Sequence, residues 1–194
     1  QLMVAVARLA FDLALPAEMV GSEAMVLPER EIVWVRHLYE KAVCGFYDVV
    51  LGERGWQVRG GKWIRWPISK RTSRIDKLLP SMQMDILLDH RETGRRVVID
   101  TKFTSVITHG RLGDETFNSR YVYQMYAYLR SQEGTGDPVA ECAAGLLLHP
   151  SIGTMVDETV VIQGHAIRFA TVDLAGTPRE IRTRLIELAE VPFQ

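Results

Sequence analysis

Between Ser81 and Thr104 the chain reads SMQMDILLDHRETGRRVVIDTKFT. Two apolar runs, Ile86-Leu87-Leu88 and Val97-Val98-Ile99, flank the polar stretch Arg91-Glu92-Thr93-Gly94. That pattern predicts two strands joined by a tight turn. Each run carries an acid where a buried strand is normally apolar: Asp85 leads into the first and Asp100 closes the second. Side chains alternate along a strand, so Asp100 and Lys102 share a face, and in a paired hairpin Asp85 can lie across from them.

The rest of the chain supplies the frame. Residues 2–15 fit an amphipathic helix ended by Pro16, and 16–28 read as a connector. A long helix follows from about Glu29 to Leu51, opened by Pro28 and two acids, with Val35, Leu38, Tyr39, Ala42, Phe46 and Val49 as its main stripe. A weaker face holds Val33, Cys44 and Tyr47, and Glu40 among them could point inwards or sit at a solvated edge. Residues 56–68 alternate loosely around Gly60-Gly61, as a hairpin or a bulged strand would. Residues 105–118 read as a polar loop. A helix from about Ser119 to Ser131 carries the apolar stripe Val122, Met125, Tyr126 and Leu129, with Arg120, Gln124 and Tyr128 as a separate polar stripe. The run from Ala143 to His149 suits a central buried strand, and 159–173 one or two more. Thr177, Pro178 and Glu180 make a capping box for a last helix with Ile181, Leu185 and Leu188 inside. This order predicts an α/β (mixed α+β) fold, a central mixed sheet flanked by helices. The domains are then 1–28, a helix and connector, and 29–194, the main domain.

Composition narrows the chemistry. An apolar share of 47% over 194 residues is enough for a real core. The net charge of −1 points to neither nucleic acid nor a membrane, so any DNA binding has to come from a local patch. One such patch is the hydroxyl-rich loop 69–77, SKRTSRIDK, where Lys70, Arg71, Arg74 and Lys77 accompany Ser and Thr, the usual phosphate-contacting groups. The first apolar run contains Arg8 and Asp12 and is too short to span a bilayer. Cys44 and Cys142 lack CxxC spacing and read as reduced thiols of a cytoplasmic protein, and the five histidines form no zinc pattern.

Two neighbouring carboxylates make a hard, anionic site suited to Mg²⁺, with Mn²⁺ as a substitute. A lysine two residues on can orient water or neutralise developing charge, the combination that phosphodiester hydrolysis needs. A bare DxK is weak, and its plain alternative is a surface ion pair worth about 0–1 kcal/mol. Glu40, the basic loop and the Gln124/Tyr128 face favour the metal site.

Asp85 in MQMDILLD, Asp100-Thr101-Lys102 in VVIDTK and Gln124-Met-Tyr-Ala-Tyr128 together resemble the PD-(D/E)xK nuclease superfamily, the last being similar to the Q-x₃-Y motif of its RecB-like members. With HLYEKAV at 37–43 and YVYQMYAYL, the chain looks most like the McrC family, the nuclease subunits of 5-methylcytosine-directed McrBC-type restriction systems. The resemblance covers roughly Glu29 to Pro150. It implies a restriction-endonuclease-like core with Asp85 and Asp100 as metal ligands, the Thr101 carbonyl as a third, Lys102 as catalytic lysine and Glu40 as the helix-borne acid. Gln124 and Tyr128, with Arg120, would support the site or contact DNA. The partners implied are double-stranded DNA containing modified cytosine and an McrB-like AAA+ GTPase, since no P-loop is visible in this sequence. Met84 stands where the superfamily's name has proline. The chain opens on Gln1, and the portion that engages the GTPase has no counterpart in it, so a piece of a longer protein is expected. A stand-alone RecB-like repair nuclease and a non-catalytic DNA-binding module remain as alternatives.

Overall fold

The structure is a computed structural model that describes residues 29–109, 113–151 and 155–190. The helix expected over 2–15 and the connector after it lie outside the described residues. Six strands form one mixed sheet, flanked by helices, an architecture consistent with a restriction-endonuclease-like fold.

The chain enters through α1 (Glu29–Gly52) and runs into β1 (Trp56–Ile64). A short helix, α2 (Ile75–Leu78), precedes β2 (Met82–His90) and β3 (Arg96–Thr101), which form the expected hairpin. Its turn needs Gly94, which holds φ at +63°. A small ribbon, β4 (Ile107–His109) with β5 (Glu115–Phe117), leads to α3 (Ser119–Arg130). A four-residue turn of helix, α4 (Pro138–Glu141), is followed by β6 (Ala144–Ser151), then β7 (Asp157–Ile162), β8 (His165–Asp173) and α5 (Pro178–Glu190). The sheet order is β1-β2-β3-β6-β8-β7, and β6 lies parallel to both β3 and β8.

Each face of the sheet buries its own layer. On one, α1 and α5 cover Ile86, Leu88, Val97, Ile99, Leu146 and Leu148. On the other, α3 covers Leu87, Val98, Leu147, Ile167 and Phe169 through Met125, Tyr128 and Leu129. Helix α3 comes so close to β6 that a Cβ on Gly145 would stand 2.6 Å from Met125 Sδ. A side chain there would require Met125 to shift. Helix α5 begins with the expected box: Glu180 Oε2 accepts from Thr177 N–H and Oγ1, while Glu180 N–H donates back to Thr177 Oγ1.

Three expectations need correction. The buried stripe of α1 is Val35, Tyr39, Val43, Tyr47 and Leu51, and Val49 is 72% exposed. A helix that is apolar on more than one side offers two stripes of similar quality, and the sheet chooses between them. Of the two readings of 56–68 the hairpin falls and the strand stands without its bulge: residues 56–64 form one strand that pairs with β2 in a constant register. Finally, the supposed loop 105–118 contains the β4–β5 ribbon, anchored by Phe117 stacked on Phe169 at 4.1 Å.

The β1–β2 pair contains one departure from simple alternation. Ile86 and Leu88 belong to the α1 layer, whereas Met82 and Met84 belong to the α3 layer. Their partners follow them: Trp56 and Val58 pack with the first layer, Ile64 with the second. Strict period-two alternation would keep all even-numbered positions on one side. Both strands therefore change face at one rung, between the pairs Gly60↔Ile86 and Lys62↔Met84. The residues at that rung are Gly61, with φ at +64°, and Asp85. Glycine takes this left-handed conformation without the steric cost that a Cβ brings.

Candidate active site

Asp85, Asp100 and Lys102 meet at one end of the sheet. The antiparallel register pairs Leu87 with Val98 and Ile86 with Ile99, and Asp85 and Asp100 are the next residues on the two strands. Asp85 Oδ2 accepts two hydrogen bonds from the neighbouring strand, from Thr101 N–H at 2.8 Å and Thr101 Oγ1 at 2.9 Å. Thr101 thus engages Asp85 through its donors. These bonds fix one carboxylate oxygen of Asp85.

Asp100 is the most exceptional group in the fold. It is 0% exposed, and neither carboxylate oxygen receives a well-directed hydrogen bond. Its charge contact is Lys102 Nζ, 2.5 Å from Oδ2. The ammonium is close but poorly aligned for a hydrogen bond, so this is an ion pair first. Burial pushes the Asp100 carboxyl up to about 7, with Lys102 opposing the rise and Asp85 and Glu40 adding to it.

Helix α3 holds the lysine from the other side. Lys102 Nζ donates to Gln124 Oε1 at 3.0 Å, Gln124 Nε2 donates to Tyr128 Oη at 2.6 Å, and Tyr128 Oη donates to the Gln83 carbonyl at 2.7 Å. The chain of bonds runs from the lysine back to β2, two residues before Asp85. Tyr128 is buried, and its phenol is raised to about 12, mainly by burial. Its place in the polar stripe is therefore half right: the ring is core and the hydroxyl is site. Lys102 Nζ also lies 4.8 Å from the centre of the Tyr121 ring, a cation–π contact.

Glu40 approaches from α1. It is half-buried, and its carboxyl is raised first by burial and next by the charge of Asp85. His37 and Lys41 of the same helix stand 3.6 and 4.0 Å away and pull the other way. The inward reading of Glu40 is thus the better of the two. Among the described residues, no three His, Cys, Asp or Glu side chains close into a cluster that could hold a metal by themselves.

The basic residues are placed differently. The segment containing Lys70, Arg71, Arg74 and Lys77 leaves β1 at Ile64 and returns at Met82, the same end of the sheet as Lys102. All four are exposed, and none makes a hydrogen bond or ion pair with Asp85, Asp100 or Lys102 among the described residues. Arg71 pairs with Asp76, and with Lys70, Ile68, Thr72, Ile75 and Leu79 it lines an open groove of about 500 Å³. Arg120 is exposed as well, its N–H capped by Asn118. Sequence reasoning missed Tyr121, although its spacing from Gln124 and Tyr128 (three residues, then four) puts all three on one helix face. It also missed His149, for which only the β3–β6 register gives a signal.

Comparison with known proteins gives a relative in sequence. The type IV methyl-directed restriction enzyme EcoKMcrBC of Escherichia coli (strain K12) is 29% identical over 126 residues, 65% of this chain. This chain is related to a type IV restriction enzyme. The matched region amounts to 35% of that protein, so the chain spans about a third of its length. No protein-family model matches the chain. The McrC-like resemblance read from VVIDTK and its neighbours is supported by this relative. Among the described residues no helix is long and apolar enough to cross a membrane.

Proposed function

We propose that this chain is the metal-dependent DNA endonuclease domain of a modified-cytosine-directed, GTP-dependent restriction complex, cleaving phosphodiester bonds. The observation that carries the reading is Asp100: a fully buried carboxylate, both oxygens without a directed hydrogen bond, facing Asp85 and paired with a lysine. A buried acid left so poorly satisfied is costly unless a cation completes it. The donor set fits Mg²⁺ or Mn²⁺, which commonly take one or two protein carboxylates together with water and substrate phosphate. Asp85 and Asp100 would hold the ion, with the Thr101 carbonyl as a third ligand and Glu40 as an additional carboxylate. When bound, the ion would polarise a phosphoryl oxygen and offset charge in the transition state.

The protein's own groups do the rest. Lys102 Nζ, held by Asp100, Gln124 and the Tyr121 ring, would orient the attacking water and neutralise negative charge on the scissile phosphate. Gln124 and Tyr128 keep that ammonium in place. Lys70, Arg71, Arg74, Lys77 and Arg120 would receive the DNA backbone beside the site, as exposed cations commonly do. The relative's name, methyl-directed and McrBC, supports methylated DNA as the target and an McrB-like partner; cytosine as the modified base and GTP as the partner's fuel rest on the resemblance to the McrC family. Free Cys44 and Cys142 fit the reducing cytoplasm, where such a complex would work.

The decisive test pairs Asp100→Ala and Lys102→Ala in the assembled complex. Each is expected to abolish Mg²⁺-dependent cleavage of modified DNA while the variant keeps a cooperative unfolding transition. Cleavage at the wild-type rate by either variant refutes the site.

A further inference from the structure

One histidine without a metal-ligand pattern is built into the lysine's surroundings. Lys102 is the first residue beyond β3, and its N–H still donates to the Leu148 carbonyl on β6 at 2.9 Å. Two residues later the Thr104 carbonyl contacts His149 Nδ1, also at 2.9 Å. Consecutive residues of β6 thus grip the chain on both sides of Phe103, which is itself buried edge-on against Tyr39 at 5.5 Å. A carbonyl only accepts, so Nδ1 must carry the proton. His149 is 1% exposed, and burial brings its imidazole down to about 4, with the nearby Lys102 charge contributing. The ring is therefore neutral, in the tautomer that Thr104 requires. Its second contact is the Tyr121 ring, 5.9 Å away, and Tyr121 in turn faces Lys102 Nζ.

We propose that His149 is a positioning residue that fixes Lys102 from two sides, through the Thr104 carbonyl behind it and the Tyr121 ring beside it. This rests on the reading of Lys102 as the catalytic lysine. The physical need is plain: a lysine has a flexible four-carbon stem, and its ammonium stays in one place only if backbone and neighbours are both held. Asp100 and Gln124 bind the ammonium directly; His149 holds the backbone it grows from and the ring it rests on.

Two variants of the full-length protein separate the contributions. His149→Phe keeps an aromatic ring against Tyr121 but removes the Nδ1–H donor. His149→Asn restores a donor at nearly the same place and removes the ring. One readout is the rate at which Lys102 is acetylated by an amine-reactive ester, followed by mass spectrometry. The other is Mg²⁺-dependent DNA cleavage by the assembled complex. His149→Phe is expected to raise Lys102 labelling several-fold and to lower kcat by roughly 10–100-fold with KM for DNA unchanged, the cost typical of a misplaced catalytic group. His149→Asn is expected to recover part of both. Wild-type labelling and kcat in His149→Phe, or no recovery in His149→Asn, overturns the proposal. Should His149→Phe fail to fold, His149→Asn carries the test alone: wild-type labelling and kcat in it overturn the ring's part in holding Lys102. If labelling rises while Lys102→Ala still cleaves normally, His149 positions the lysine but the catalytic assignment of Lys102 is wrong.

Discussion

Replacing Asp100 by asparagine should make the metal-free protein more stable, and the size of the gain follows from the structure. Asp100 is fully buried without a directed hydrogen bond, and its carboxyl rises from 3.8 to about 7 on folding. Such a rise corresponds to about 4 kcal/mol favouring the neutral acid in the folded state. The sign follows from linkage. An acid whose folded value is raised contributes its full stability below the unfolded value, and that stability is lost as pH rises through the folded value. Wild-type stability should therefore fall between about pH 4 and pH 7 from this group and then level off, whereas Asp100→Asn, which keeps the shape without the charge, should show no such fall. The attraction of Lys102 opposes the rise and is already contained in it, so the net gain above pH 7 stays at about 4 kcal/mol. For a domain of this size that is a rise in Tm of roughly 5–15 °C. Thermal or urea melts across this pH range in a chelator measure it. Added Mg²⁺ should close the gap by stabilising only the wild type, by about 2.7 kcal/mol at a hundred times its Kd. Parallel pH profiles for the two proteins, with no difference in their response to Mg²⁺, would refute the account of Asp100 as a buried acid awaiting a cation.

Gly61→Ala should cost about 1–2 kcal/mol, since φ is +64° and the new Cβ would stand 3.0 Å from Gln83 Nε2. Cleavage should fall further than the folded fraction does, because the same rung places Asp85; full activity per folded molecule would show that it does not. Replacing Lys70, Arg71, Arg74 and Lys77 together by alanine should reduce the slope of log affinity against log salt by roughly 3–4, if each meets a phosphate. Fluorescence anisotropy with a duplex reads this directly, and an unchanged slope would remove the loop from the DNA path.

The hairpin was legible in the sequence because its signals are local. A polar turn with Gly94, apolar runs of strand length and an acid at each inner end need no tertiary information. The capping box at Thr177 and the buried run 144–148 are legible for the same reason. What could not be read depends on partners distant in sequence. Val49 fits a helical stripe as well as Val43 does, and only the sheet beneath α1 decides between them. The four basic residues from Lys70 to Lys77, by contrast, are expected near the site and do stand at the Lys102 end of the sheet, because β1 and β2, which bracket them, pair there. His149 is illegible by a stronger rule: nothing in the run LLLH indicates which strand lies beside it. Parallel pairing of β6 with β3 sets Leu148 level with Thr101, and only that register brings the next residue to Thr104.

The same separation of local and distant causes explains why the acids converge. In a regular hairpin, Asp85 would be one more position in an alternating strand, and Met84 would point with Ile86 towards α1. Instead Met82 and Met84 pack beneath α3 while Ile86 and Leu88 pack beneath α1, and the strand turns over at Asp85. A residue at such a turning point belongs to neither core. It can meet Thr101 and Asp100 on β3 while still feeling Glu40 from the opposite layer, as the effect of Asp85 on Glu40 records. Two helices on opposite faces thus reach one site without either crossing the sheet. The pattern MxMD-ILL is compatible with this change of face, because Met84 and Ile86 on either side of the acid are both apolar and each face of the sheet has a layer to bury them. The acid at the break is therefore a consequence of how the strand is packed. Moving it one position along would return it to a buried layer, where an unpaired carboxylate costs more than the fold can readily supply.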